Sequence, residues 1–225
     1  MEQVHFNQMV NASEMIKNSS IDELRDEDNL TRIIQSWGLI NDQAINFGYD
    51  NCRQPFGIFQ QPEQLAPALI YLSYKGIKEY LEVGTFVGSS TTFISIYLSR
   101  FNKLHTLAID LLNRYDDNLL RLANQYAYVE FHQGTSSDIK NYPCDLCFID
   151  ADHKYESVKQ DYENVGKTAG ICMFHDINDE GTVKDRDGSG TVKFWNEIKR
   201  PESIEFTKHP LGLNVMGIGI INLTT

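Results

Sequence analysis

The segment from residue 79 to residue 101 limits the possible folds more than any other part of the chain. Tyr80 to Val83 is a short apolar run, a turn follows through Gly84 and Gly88, and Phe93, Ile94, Tyr97, Leu98 and Phe101 then recur at helical spacing. A glycine turn between strand and helix lets backbone approach a ligand closely and aims free N–H groups at it. That ligand would be a nucleotide phosphate or a group carrying a carboxylate. An ordinary strand-to-helix turn of an α/β domain is the competing reading. The dinucleotide fingerprint G-x-G-x-x-G is not met, because Thr85 and Phe86 follow Gly84 where that motif needs a second glycine.

Beyond this turn the pattern alternates. Strands are predicted at 79–84, 105–110, 127–132, 145–150 and 169–175, with helical or turn segments between them. Continuous apolar runs such as LCFI and GICMF suit strands buried on both faces, as in a parallel sheet covered by helices. Segments 204–208 and 215–221 can pair as a final antiparallel hairpin. The expected fold is therefore α/β, a doubly wound, mostly parallel sheet of seven strands.

Ahead of the sheet, residues 1–20 are polar and weakly patterned, with Met9, Val10, Met15 and Ile16 the obvious apolar groups. Asp28 is expected to cap a helix that carries Leu30, Ile33, Ile34 and Trp37 on one face and stops at Gly38. That stripe must cover either the domain's own core or a second subunit, so a homodimer is one expectation. Residues 39–62 read as irregular chain, and Pro62 opens a helix through Leu65, Leu69 and Leu72. The chain divides into an N-terminal helical extension, 1–56, and a larger domain, 57–225.

Charge narrows the partners. A net charge of −11 leaves little from which to build the basic face that nucleic acid requires. No apolar run is long enough to span a bilayer, and no basic segment with an apolar core opens the sequence, so neither a membrane nor a secretory route is expected. Cys144 and Cys147 form a C-x-x-C beside an apolar strand, with no second pair at zinc-ribbon spacing. Buried reduced thiols and a cytoplasmic location follow.

Glu82 stands two residues before the first glycine. The string LEVGTFVGSS resembles the first motif of class I S-adenosylmethionine-dependent methyltransferases, in the version found in small-molecule O-methyltransferases of the catechol and caffeoyl-coenzyme A type. The resemblance extends over roughly residues 57–222, and the closing hairpin agrees with it. It implies a Rossmann-like methyltransferase fold and S-adenosyl-L-methionine as cofactor, held by Glu82, Gly84, Thr85, Gly88 and Ser90 at the first strand. Asp110, ending the second strand, is placed to accept the hydroxyls of a ribose; a helix-capping acid is the alternative. Gly134-Thr-Ser-Ser-Asp138 resembles the family's adenine stretch, which would put Ser136 and Ser137 there; a plain Ser-rich turn competes.

The fourth strand ends in Asp150-Ala-Asp-His-Lys-Tyr155, similar to the family's V-D-A-D-K, whose first acid holds a divalent metal and whose lysine serves as base. Asp150 takes the acid's place, facing both metal and cofactor, and His153 the base's. An imidazole kept neutral by a helix N-terminus is well matched to that task. A capping Asp152 followed by a surface histidine is the bland alternative. His175 and Asp176 occupy the family's Asp-Asn position, so Asp150, His175 and Asp176 form the implied metal set. Their mixed donors point to manganese, iron or zinc rather than magnesium, or to no metal at all. The segment 178–190, with Gly181, Gly188 and Gly190, reads as a lid or as a solvated loop.

The resulting expectation is methyl transfer to a hydroxyl of a small molecule, a sugar, natural product or phenolic. The alternatives are a non-catalytic accessory member that binds cofactor or a partner protein, and a nicotinamide-dependent oxidoreductase, against which the missing third glycine speaks.

Overall fold

The structure, a computed structural model, describes residues 1–40, 52–179 and 189–223. The lid reading of 178–190 therefore falls mainly outside the described residues. Three helices open the chain: α1 (Gln3–Asn18), α2 (Ile21–Leu24) and α3 (Glu27–Trp37), followed by α4 (Pro62–Leu72). Then β1 (Glu79–Val83), α5 (Ser89–Leu98), β2 (His105–Asp110), α6 (Asp117–Ala123), β3 (Tyr128–Gln133), β4 (Leu146–Ile149), α7 (Tyr155–Asn164) and β5 (Ile171–Asp179) alternate. The chain closes with α8 (Ser189–Ile198), β6 (Ile204–Phe206) and β7 (Val215–Asn222).

The seven strands lie in the order β3-β2-β1-β4-β5-β7-β6, as the doubly wound reading requires. β1 to β5 are parallel, and β7 inserts antiparallel between β5 and β6. Side chains alternate faces along each strand. Tyr80, Ala108, Leu146, Phe148 and Ile218 therefore join one core with α1, α3, α4 and α5, while Leu81, Ile109, Cys147, Ile149 and Phe174 join the other with α7 and α8. All four cysteines are buried free thiols. Among the described residues no helix is long and apolar enough to cross a membrane.

The N-terminal segment departs from the expectation in two places. Residues 3–18 form a regular helix, whose buried side chains Met9, Ala12, Ser13 and Ile16 keep the i, i+3, i+4, i+7 spacing of one face. Two of those four are small, so the stripe is faint in the sequence. The cap of α3 is Asp26, which accepts from the Asn29 N–H, rather than Asp28, which lies inside the first turn. The α3 stripe of Leu30, Ile33, Ile34 and Trp37 is fully buried within the chain's own core. Nothing of it remains for a dimer contact.

Register sets the functional edge. Val83 pairs with both Ile109 and Ile149, and Ile149 with Phe174. The residues that follow these positions, Gly84, Asp110, Asp150 and His175, thus stand side by side along the carboxyl edge of the sheet, where open α/β sheets bind ligands.

Candidate active site

A cavity of about 720 Å³ runs along that edge, lined among others by Gly84, Thr85, Ser90, Asp110, Ser136, Ser137, Asp150, His153, His175 and Asp176. Its size suits one cofactor and a small acceptor. The glycine turn forms one wall. Gly84 has φ +92°, and a Cβ there would lie 2.3 Å from the Asp150 carbonyl oxygen, so the close passage of β1 past β4 requires glycine. Phe86 is also left-handed, at φ +50°, which aims its N–H at Asp110.

Asp110 is 8% exposed. Its Oδ2 accepts from Phe86 N at 2.8 Å and its Oδ1 from Leu112 N at 2.9 Å. Each oxygen keeps a second lone pair for a ligand hydroxyl. Arg114, half-exposed, approaches Oδ1 at 3.6 Å and lies over the Phe86 ring. Such an exposed pair adds little binding energy.

Two residues of the first motif stand apart from the cavity walls. Glu82 is fully buried below the turn; its Oε1 accepts from Ser90 Oγ at 2.9 Å, and the Tyr80 hydroxyl donates to its Oε2. Burial pushes its carboxyl up to about 7, against the hydrogen bonds from Tyr80 and Ser90. Gly88, at φ +85°, caps α5 against the Tyr115 ring. Both shape the turn from behind.

Past β3, Ser136 and Ser137 are joined to α7. Ser136 Oγ donates to Asp161 Oδ1 at 2.6 Å and accepts from Asn164 at 2.9 Å, while Ser137 Oγ accepts from Gln160 at 3.2 Å. Ser157, Gln160 and Asp161 belong to the same cavity wall. With Asn164 they repeat at i, i+3, i+4, i+7, a polar stripe that the sequence carried and that motif reading passed over. Burial raises the Asp161 carboxyl, with the Ser136 bond acting against it.

The far end gathers charge. Asp150 Oδ2 accepts from Gln60 Nε2 at 2.5 Å, and Oδ1 from His175 Nδ1 at 3.2 Å. His153 Nε2 lies 3.1 Å from Asp176 Oδ2 and 3.8 Å from Asp150 Oδ1. The shorter approach lacks the alignment of a hydrogen bond, which leaves this buried nitrogen without a hydrogen-bond partner among the described residues. Asp176 adopts φ +56° where the β5–β7 pairing shifts register between His175 and Asn178. That irregularity turns its carboxylate toward the two histidines.

Burial alone would raise the Asp150 carboxyl, but His175 and His153 outweigh it and hold it at about 2. Asp150 and then Asp176 raise His153 above the usual imidazole range, against burial. Burial would lower His175, yet Asp176 and Asp150 lift it well above that range. The helix N-terminus expected to favour a neutral His153 is therefore opposed by two carboxylates at closer range.

Asp150, His153 and Asp176 each present one ligand atom within 4.8 Å of the others, a spacing that suits a divalent ion. The structure thus brings His153 into the set where His175 was expected. His175, only 3% exposed, bonds Asp150 instead. Motif reading also missed Gln60, Arg114 and Met216 as cavity walls. Gln60 lies in a segment that reads as irregular chain, and Met216 in a strand with no polar signal.

Comparison with known proteins agrees with this geometry. Residues 81–177 match a family model described as a methyltransferase domain. No curated protein sequence matches the chain significantly. Among solved structures, an O-methyltransferase from Bacillus cereus in complex with S-adenosylhomocysteine is similar over 91% of this chain and 92% of its own, at 17% identity and a TM-score of 0.57. The O-methyltransferase TomG from Streptomyces achromogenes, which acts in tomaymycin synthesis and was solved with S-adenosylmethionine, is similar over 81% of this chain and 87% of its own, at 18% identity and a TM-score of 0.53. The N-methyltransferase NodS from Bradyrhizobium japonicum is similar over 73% of this chain and 98% of its own, at 13% identity and a TM-score of 0.52. Residues 81–177 thus resemble a methyltransferase domain, and the chain shares its fold with solved methyltransferases.

Proposed function

We propose that the protein transfers a methyl group from S-adenosylmethionine to a hydroxyl of a small molecule, with residues 1–56 as a helical layer on a methyltransferase domain of residues 57–225. The observation that carries this is the continuous cavity from Asp110, past the glycine turn, to the Asp150–His153–Asp176 cluster. When bound, the cofactor supplies a methyl already activated by its sulfonium, so the protein's task is alignment and proton handling. Asp110 would take the ribose hydroxyls, the Gly84–Ser90 turn the amino-acid tail, and Ser136 and Ser137 the adenine edge. Glu82 holds that turn from below through Ser90.

At the other end, His153 Nε2 would accept the proton of the acceptor hydroxyl once the imidazole has lost its own proton. Asp150 and Asp176 raise the proton affinity of that imidazole, so transfer should rise with pH. The residues also fit a divalent ion, since that orphaned nitrogen and two carboxylates converge. Asp150, Asp176 and His153 would hold the ion, which when bound supplies a lowered hydroxyl pKa. Both roles draw on one lone pair of His153, so an ion-loaded site would need Asp150 and Asp176 as its main ligands for His153 to stay a base.

Calorimetry with S-adenosylhomocysteine and transfer of labelled methyl to a hydroxylated acceptor panel, with and without chelator, test the reading. Binding and transfer are expected. Nicotinamide binding in place of S-adenosylhomocysteine would overturn it, and cofactor binding without transfer to any acceptor would favour the accessory role. Chelator-resistant transfer would remove the ion and leave His153 as the base.

A further inference from the structure

The C-terminal end of α3 touches two walls of the cavity, although it lies well outside the matched domain. Trp37, its last residue, is fully buried and donates from the indole Nε1 to Ser89 Oγ at 2.9 Å. Its ring meets Phe93 edge-on at 5.4 Å. Ser89 is the first residue of α5 and lines the cavity. An indole N–H can only donate, so Ser89 Oγ is the acceptor. Among the described residues the hydroxyl proton of Ser89 has no protein acceptor, and it is left for a ligand.

The next three residues hold a second wall. Leu39 N donates to the Cys52 carbonyl, Gln54 N to that of Leu39, Ile58 N to that of Gly38, and Ile40 N to that of Ile58, all between 2.8 and 3.0 Å. A Cβ on Gly57 would lie 2.3 Å from the Leu39 carbonyl carbon, so this approach depends on glycine. Gly57, Phe59 and Gln60 are cavity walls, and Gln60 reaches Asp150.

We propose that Trp37 is a positioning residue for the cofactor: its indole fixes the Ser89 hydroxyl so that the hydroxyl donates to the carboxylate of the cofactor's amino-acid tail. This rests on the S-adenosylmethionine reading above. The carboxylate is the only anionic group of that cofactor, and the first turn of α5 favours negative charge. Because the ligand and the indole share one serine, docking of α3 and cofactor binding strengthen each other.

The test is calorimetry with S-adenosylhomocysteine on the full chain. Trp37→Phe, which keeps the ring on Phe93, and Ser89→Ala should each weaken binding about five- to tenfold, the worth of one hydrogen bond. The double variant should be no weaker than the worse single one, since both act through one hydroxyl. Ile33→Val, on the same α3 stripe, should lower the melting temperature and leave affinity unchanged. Ligand should also change tryptophan emission in the parent and not in Trp37→Phe. Unchanged affinity in Trp37→Phe, or additive losses in the double variant, would overturn the role of Trp37. A parent that does not bind S-adenosylhomocysteine would overturn the underlying reading itself.

Discussion

Asp110 and Asp150 end the two strands that flank β1, yet they are held in opposite ways. Asp110 takes both of its short hydrogen bonds from backbone N–H groups, one only two residues away. Asp150 takes its bonds from the side chains of Gln60 and His175, 90 and 25 residues distant. Backbone donors fix the geometry of Asp110 and leave a second lone pair on each of its carboxylate oxygens for a ligand. Imidazoles trade charge with a carboxylate, which is why Asp150 sits at about 2 while both histidines move up. In the proposed reading one end of the cavity holds the cofactor and the other handles protons.

That division can be broken by experiment. The largest effect is expected at the proton-handling end. His153→Ala should lower the methyl-transfer rate by about 10²–10⁴, the usual worth of a positioned base, with S-adenosylhomocysteine affinity unchanged. Equal losses in rate and affinity would erase the contrast between the ends.

Next comes Glu82 under the turn, whose carboxyl titrates at about 7 in the folded protein against an ordinary value of 4.5. As pH rises through this window the unfolded chain releases the proton first, so the native state loses stability relative to a Glu82→Gln variant. The gap should widen by roughly 3 kcal/mol between pH 4.5 and 7.5, read from urea midpoints. A pH-independent gap would mean that Glu82 is already ionised in the fold.

At the holding end, Asp110→Ala should weaken S-adenosylhomocysteine about 10- to 100-fold, as loss of charged hydrogen bonds does. If turnover at saturating cofactor fell by more than affinity, Asp110 would belong to the chemistry instead. The smallest change is Ser136→Ala, which removes the bond to Asp161 and should cost about 1–2 kcal/mol of stability. A neutral result would show that water replaces the serine at Asp161.

Much of the fold was legible because it follows from local pattern. The continuous apolar runs of β4 and β5 announced a sheet covered on both faces, and the glycines of the first turn marked its ligand edge. The helix of residues 3–18 escaped, since Ala12 and Ser13 contribute little hydrophobic contrast to its buried face. The cap of α3 was misplaced by two residues because Asp26 and Asp28 are equally good caps in one dimension.

The sequence by itself determined which residues reach the carboxyl edge: register-locked strands carry Gly84, Asp110, Asp150 and His175 there wherever the chain pairs in parallel. Only the tertiary structure decided how they act. Gln60 and Trp37 meet Asp150 and Ser89 through packing of distant segments, and the register shift in β5 swings Asp176 toward His153. Burial and charge at a few ångströms set proton affinity, and those distances exist only once the chain has folded.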